Sequence, residues 1–484
     1  MHLAYGRPGP LRVGVLPETR AYVFPRMHAS WTSRRVSLKL MTTRDVSWSA
    51  HCTLWVAAAI LGAVTSIGVW LFLQGFALVN SLTLGTFGVL PPPVGWLATA
   101  LIPAVGGLLV GVGMHAMAHP AKLAAMAHVI DRVTGGGGRL DHRNGAAFVA
   151  NSLIGIGFGA PVGADTPAAL IGGHLGSWLA ERLRWREDFV RALVVAGVGA
   201  GIAATYFAQL SAAFFALEVV LGGIGGPVFV VPTLIAVISS TLVTGWVGGQ
   251  PARYATPTGA ETWGPALLVY LGAAILAAAA AIAYVNLLPI AKAAWTRLHL
   301  PFWAKPALAG LLVGVVGIWL PDVFGTGLSQ MKTVFGGAAI PLELLIVVAL
   351  AKLVLTPNSL GAGFTGGVIG PALLIGSWLG AAYGLLIGQI FPDAGVSPVA
   401  LSMVATTAML AATFHAPLFA TMMVFEMVGD FRFLLPLTMG AAVAYGLARF
   451  FQPGSAYTFG FPALGVAFVP GTYTEVTLDE VEHD

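Results

Sequence analysis

One cysteine, Cys52, stands among 484 residues, which excludes an internal disulfide and any cysteine-built metal cluster. Charge is scarce as well. Only 9% of the residues are Asp, Glu, Lys or Arg, where a soluble protein carries about a quarter. No hydrophilic block long enough for a soluble regulatory domain is expected at either end. Residues 1–40 lack an apolar stretch leading into a small-residue site, so no cleavable signal is expected, and Met27 or Met41 is a candidate start. What fills the chain is apolar sequence, 57% of it hydrophobic. The runs Leu54 to Val79 and Ala266 to Pro289 exceed the roughly twenty residues that cross a bilayer. An all-α polytopic membrane protein is therefore expected. Its 62 glycines and 30 prolines suit tightly packed, frequently broken membrane helices.

The net charge of +4 says little, but its placement does more. Arg20, Arg26, Arg34, Arg35, Lys39 and Arg44 precede the first span, which predicts a cytoplasmic N-terminus in an inner or plasma membrane. The last residues, Glu475 to Asp484, form an acidic tail.

The sequence repeats itself. Pro103-Ala-Val-Gly-Gly-Leu-Leu-Val-Gly-Val112 returns as Pro306-Ala-Leu-Ala-Gly-Leu-Leu-Val-Gly-Val315. Pro167 to Gly176 returns as Pro371 to Gly380, and Phe214-Phe-Ala-Leu-Glu218 more weakly as Met422-Met-Val-Phe-Glu426. Three pairs in one order at nearly one spacing mark a duplicated domain, which in a membrane chain puts the functional site where the halves meet. The division reads as a cytoplasmic segment 1–49, a first membrane repeat 50–250, a linking span and loop 251–305, a second repeat 306–462 and the tail 463–484. Apolar segments fall at 51–82, 94–118, 145–160, 167–181, 188–221, 225–247 and 264–289. They resume at 306–320, 341–356, 367–391, 396–427 and 432–449. Charged connections fall at Gly135 to Arg143, Arg182 to Arg191 and Lys292 to Lys305.

Gly163-Ala-Asp165-Thr-Pro167 and Gly366-Gly-Val-Ile-Gly-Pro371 occupy matching places in the two repeats, each opening a helix inside apolar sequence. A helix start offers free N–H groups and about half a positive charge, enough to hold an anion without a lysine or arginine. Ordinary Gly/Pro kinks would look the same, yet the pairing is what broken-helix transporters present. Asp165, two residues before Pro167, reads either as a plain N-terminal cap or as a carboxylate that competes with the anion and gates its site. Glu218 and Glu426 end equivalent helices and read as carboxylates reaching the membrane interface. His115, His119, His128, His174 and His415 lack the spacing of metal ligands.

These residues carry a resemblance. Gly163 to Pro167, with Ile171 to Gly176 behind it, resembles the Gly-Lys/Arg-Glu-Gly-Pro motif of the CLC chloride channels and chloride/proton antiporters. Gly366 to Pro371 resembles that family's Gly-x-Phe-x-Pro motif. Phe215 to Val219, His415-Ala-Pro417 through Asp430, and Gly454-Ser-Ala-Tyr457 are similar to three further family segments, in the family's order over residues 50–462. The chain is thus similar to a divergent bacterial-type member without CBS domains. The resemblance implies an inverted-topology repeat with broken and re-entrant helices, a homodimer with one pore per subunit, and anion binding at helix N-termini. It implies Asp165 as gate, and Gly163, Ala164, Thr166, Val368, Ile369, Gly370 and Tyr457 around the anion. Several positions depart from the pattern. The gate is aspartate rather than glutamate, Met117 falls at the central serine, Ile369 replaces the motif phenylalanine, and Val219 stands where many exchangers carry a proton-relaying glutamate. Glu218, its neighbour, is a possible proton path.

The resulting expectation is chloride conduction through a CLC-type pore. A proton-coupled antiporter of chloride or fluoride is the alternative. An intramembrane enzyme is a distant third, since only Asp165 is embedded and neither a His-Glu-x-x-His run nor a nucleophile elbow occurs. No cofactor is expected. The partners expected are a small inorganic anion, the lipid bilayer and a second copy of the chain, with no nucleic acid.

Overall fold

The computed structural model describes residues 48–117, 125–249, 264–392, 395–452 and 454–458, all within one compact unit. The N-terminal segment before Trp48, the candidate starts Met27 and Met41, His119, the side chain of Met117 and the acidic tail lie outside the described residues. The described residues are helical, without a strand. The order begins α1 (Trp48–Leu82), α2 (Leu84–Phe87), α3 (Val94–Met117), α4 (Ala125–Thr134) and α5 (His142–Gly157). It continues α6 (Asp165–Arg182), α7 (Glu187–Tyr206), α8 (Gln209–Phe214), a π-helical turn Phe215–Val220 and α9 (Pro227–Gly248). Then come α10 (Ala266–Arg297), α11 (Ala304–Trp319), α12 (Leu328–Phe335), α13 (Leu342–Ala362) and α14 (Ile369–Ile390). The order closes with α15 (Pro398–Phe414), α16 (Pro417–Val428) and α17 (Leu434–Phe451). Among these, eight helices are long and apolar enough to cross a membrane. The protein is integral to the membrane.

Two apolar segments that read as continuous are broken. Residues 188–221 divide at Phe207 and residues 396–427 divide at His415, both in the left-handed backbone region (φ 56° and 55°). These positions correspond in the duplication, and each is followed by a short helix, α8 or α16, that packs against the other. Pro417 at the start of α16 announces the second break, because a proline fits the first helical turn and disfavours helix in the residue before it. The first break has no such signal. A lone non-glycine in the left-handed region is invisible to hydropathy.

The duplicated segments found in the sequence pack on each other. Helix α3 lies along α11, and the approach is so close that a Cβ on Gly107 would sit 2.1 Å from the Pro306 carbonyl oxygen. One on Gly310 would sit 2.0 Å from that of Pro103. Each glycine therefore meets the proline that opens the other copy of the repeat. Small residues that let backbones touch are how membrane helices associate where lipid is as apolar as leucine. The opposite faces of these helices carry exposed apolar side chains, among them Leu101, Leu108, Val112, Leu308 and Leu312. Behind them, α6, α7, α14 and α15 form the buried centre, where Asp165, Ile369 and Met409 have no accessible surface.

Candidate functional site

The loops that precede α6 and α14 meet in the core. Gly163 N–H donates to the Gly367 carbonyl and Gly367 N–H to that of Gly163, each at 2.7 Å, an isolated antiparallel bridge. This bridge brings the two duplicated helix starts to one place. The Asp165 side chain turns across it. Its Oδ2 accepts from Ile369 N–H at 3.3 Å and from the Tyr457 hydroxyl at 3.2 Å, and its Oδ1 accepts from Gly370 N–H at 3.4 Å. The Thr166 hydroxyl lies 3.5 Å from Oδ2 and 3.3 Å from the Tyr457 hydroxyl.

The capping reading acquires a second helix: the Asp165 carboxylate also lies at the N-terminus of α14, in the other repeat. The reason is local. Asp165 is already inside the first turn of α6, with Ala164 before it, so its side chain leaves the helix end sideways, toward the loop that Gly163 holds alongside. Gly163 and Gly367 make room for it: a Cβ on either would lie 2.0 Å from a carboxylate oxygen. At the first turn of a helix, free N–H groups and the macrodipole both favour negative charge. The Asp165 carboxylate supplies that negative charge.

Of the expected site residues, Gly163, Ala164, Asp165, Thr166, Val368, Ile369 and Gly370 gather at this point, all buried. Tyr457 joins them from beyond α17. Its ring is held between Phe414 (centroids 5.3 Å apart) and Phe215 (6.3 Å), and Ala456 N–H donates to the Thr413 carbonyl at 2.9 Å. Met117 closes α3, with its side chain outside the described residues.

Glu218 is elsewhere. It sits on the π-helical turn and accepts from Leu418 N–H (3.4 Å) and Phe419 N–H (2.9 Å) at the start of α16. Glu426, at the end of α16, accepts from Leu210 and Ser211 N–H at the start of α8, both at 2.8 Å. The half-buried pair does not simply mark where helices reach water, as the sequence suggested. Each carboxylate caps a broken helix of the opposite repeat. Tyr206, at the end of α7, and Tyr284 of α10 escaped the sequence reading, yet both lie close enough to Asp165 to feel its charge. A buried lysine, Lys352 of α13, also escaped it. Its Nζ donates to the Val323 and Gly325 carbonyls (2.8 and 2.6 Å), fixing the segment that leads into α12.

Residues 106–449 match the family model described as voltage gated chloride channel. The chain belongs to the CLC family. It is 32% identical over 366 residues to a putative chloride channel protein, ClcB-like, of Ralstonia nicotianae, covering 75% of this chain and 85% of that protein. It is 28% identical over 367 residues to the voltage-gated ClC-type chloride channel ClcB of Citrobacter koseri, covering 74% and 85%. Its fold is similar to that of a slow cyanobacterial Cl⁻/H⁺ antiporter (TM-score 0.78, 22% identity, 85% of this chain and 97% of that one). It is also similar to that of a CLC-type fluoride/proton antiporter (TM-score 0.73, 18% identity, 86% and 99%). The CLC fold accounts for the all-helical architecture with broken helices, and membership makes this chain a channel or transporter of anions rather than an enzyme by family.

Proposed function

We propose that the chain carries a small inorganic anion, chloride by default, through a pore that passes the N-termini of α6 and α14, and that Asp165 is its gate. One observation carries this reading: a carboxylate with no accessible surface occupies the amide N–H groups of Ile369 and Gly370. Deprotonated, it competes with the anion for those donors; protonated, it loses the charge that holds it, and an anion takes its place. Flux is therefore expected to rise as pH falls. Gly163, Ala164, Thr166 and Val368 shape the site, the Tyr457 hydroxyl helps bind the ion, and no cofactor takes part. The protein works as a homodimer in an inner or plasma membrane, its N-terminus in the cytoplasm.

The second reading is a proton-coupled antiporter, as the names of the two structural neighbours suggest for those proteins. Glu218 favours it, being a half-buried carboxylate on the same π-helical turn as Phe215, whose ring meets that of Tyr457. Val219, which cannot relay a proton, favours the first. Reconstituted efflux of chloride, nitrate and fluoride, with external pH recorded, tests both. Anion efflux without proton movement supports the channel, stoichiometric proton movement the antiporter, and no efflux of any anion overturns both.

A further inference from the structure

Next to Ala164, the residue before the gate, lies a cavity of about 280 Å³. Two apolar residues of α1 form one side. Thr205 and Tyr206 at the end of α7 form another, and Thr326 and Lys332 come to it from the second repeat. Ala164 joins the cavity to the gate, since it lines the one and directly precedes Asp165 in the chain. Lys332, in the last turn of α12, is exposed, and its ammonium has no hydrogen-bond or ion-pair partner among the described residues. Helices α14 and α15, which pack against α12, contain no Asp, Glu, Lys or Arg. The Thr326 hydroxyl accepts from Leu328 N–H at 3.4 Å, which leaves its own proton for a ligand. The cavity thus brings an uncompensated cation and a hydroxyl donor to a wall formed in part by Ala164, the neighbour of the gate.

We propose that Lys332, with Thr326, forms a capture site for small inorganic anions at the mouth of the path to Asp165. This rests on the reading of Asp165 as the gate of an anion pore. The ammonium raises the local anion concentration without binding the ion at the amides themselves. Its effect is Coulombic, so it fades as added salt shortens the screening length from about 30 Å at 0.01 M to about 3 Å at 1 M.

The test is chloride efflux from liposomes at fixed chloride, with ionic strength raised by an impermeant salt. Lys332→Gln is expected to lower efflux by roughly threefold to tenfold at about 0.01 M ionic strength, and by less than about twofold at about 0.5 M. Lys332→Arg keeps the flux. A deficit equal at both ionic strengths overturns the proposal and makes Lys332 structural; no deficit at either overturns it too. If the unaltered protein carries no anion, the gate reading fails first, and this one with it.

Discussion

Asp165 shows how much one residue's geometry can add to its chemistry. The sequence made it conspicuous, as an isolated carboxylate in apolar surroundings beside Pro167. What it could not reveal is which helix the carboxylate serves, because Ile369 and Gly370 are brought to it only by the Gly163–Gly367 bridge. Asp165→Ala is expected to raise anion flux and flatten its pH dependence, since a methyl group cannot compete for N–H donors. Flux measured across about pH 4 to 8, spanning carboxylate titration, checks this; identical profiles for both proteins would remove the gate. Gly367→Ala acts on the same few ångströms with opposite sign. Its methyl group would fill the space of the carboxylate and of the competing anion alike, and overpacking costs about 1–3 kcal/mol. Efflux should drop roughly tenfold or more, and Asp165→Ala should not rescue it. Tyr457→Phe removes one donor and should weaken anion binding by at most about 1.5–3 kcal/mol, as read by calorimetry; no loss would exclude the hydroxyl from the site. Tyr206 and Tyr284, by contrast, were not legible. Tyrosines in apolar helices carry no mark of which distant carboxylate they will face.

At the scale of elements, the short helices α8 and α16 stand out. Their N-terminal N–H groups lie at exposed or half-buried positions of a membrane protein, where unpaired backbone donors are expensive in lipid, and neither helix supplies its own side-chain cap. Glu426 and Glu218 supply them from across the duplication. Glu218→Ala and Glu426→Ala are each expected to destabilise the protein by about 1–3 kcal/mol, as for any donor left without a partner. Thermal unfolding in detergent, followed by tryptophan fluorescence, reads this directly, and unchanged midpoints for both variants would refute it. The sequence had aligned these two glutamates as a repeat pair but treated each as the end of its own helix. Periodicity reports what lies along a helix, whereas this relation joins Glu218 to Phe419 and Glu426 to Ser211, some two hundred residues apart.

The whole molecule was the most legible scale. Glycine, proline and charge counts announced a membrane protein of broken helices, and the copied decapeptides at Pro103 and Pro306 announced its duplication. Those decapeptides then proved to be the contact between α3 and α11, because a sequence that must touch its own copy needs small residues at the same positions in both. Gly310→Leu should part these helices and lower the thermal midpoint measurably; an unaltered midpoint would show that the close approach of Gly310 to Pro103 contributes nothing. For transport as a whole, Val219 leads to the expectation that a chloride gradient drives no uphill proton movement in liposomes. Robust uphill movement, abolished by Glu218→Gln, would reverse this and assign the relay to Glu218.

The exchanged caps have a bearing on how the protein is made. A ribosome delivers α8 to the bilayer more than two hundred residues before Glu426 exists. During that interval the Leu210 and Ser211 amides have no protein acceptor from the second repeat, and the Gly163 loop has no Gly367 to pair with. The first repeat must therefore wait in the membrane as an unfinished insertion intermediate, with water, lipid headgroups or an insertase meeting its open helix ends. The second repeat supplies Gly367 first and Glu426 later, so a product truncated between them would leave the start of α8 without its cap.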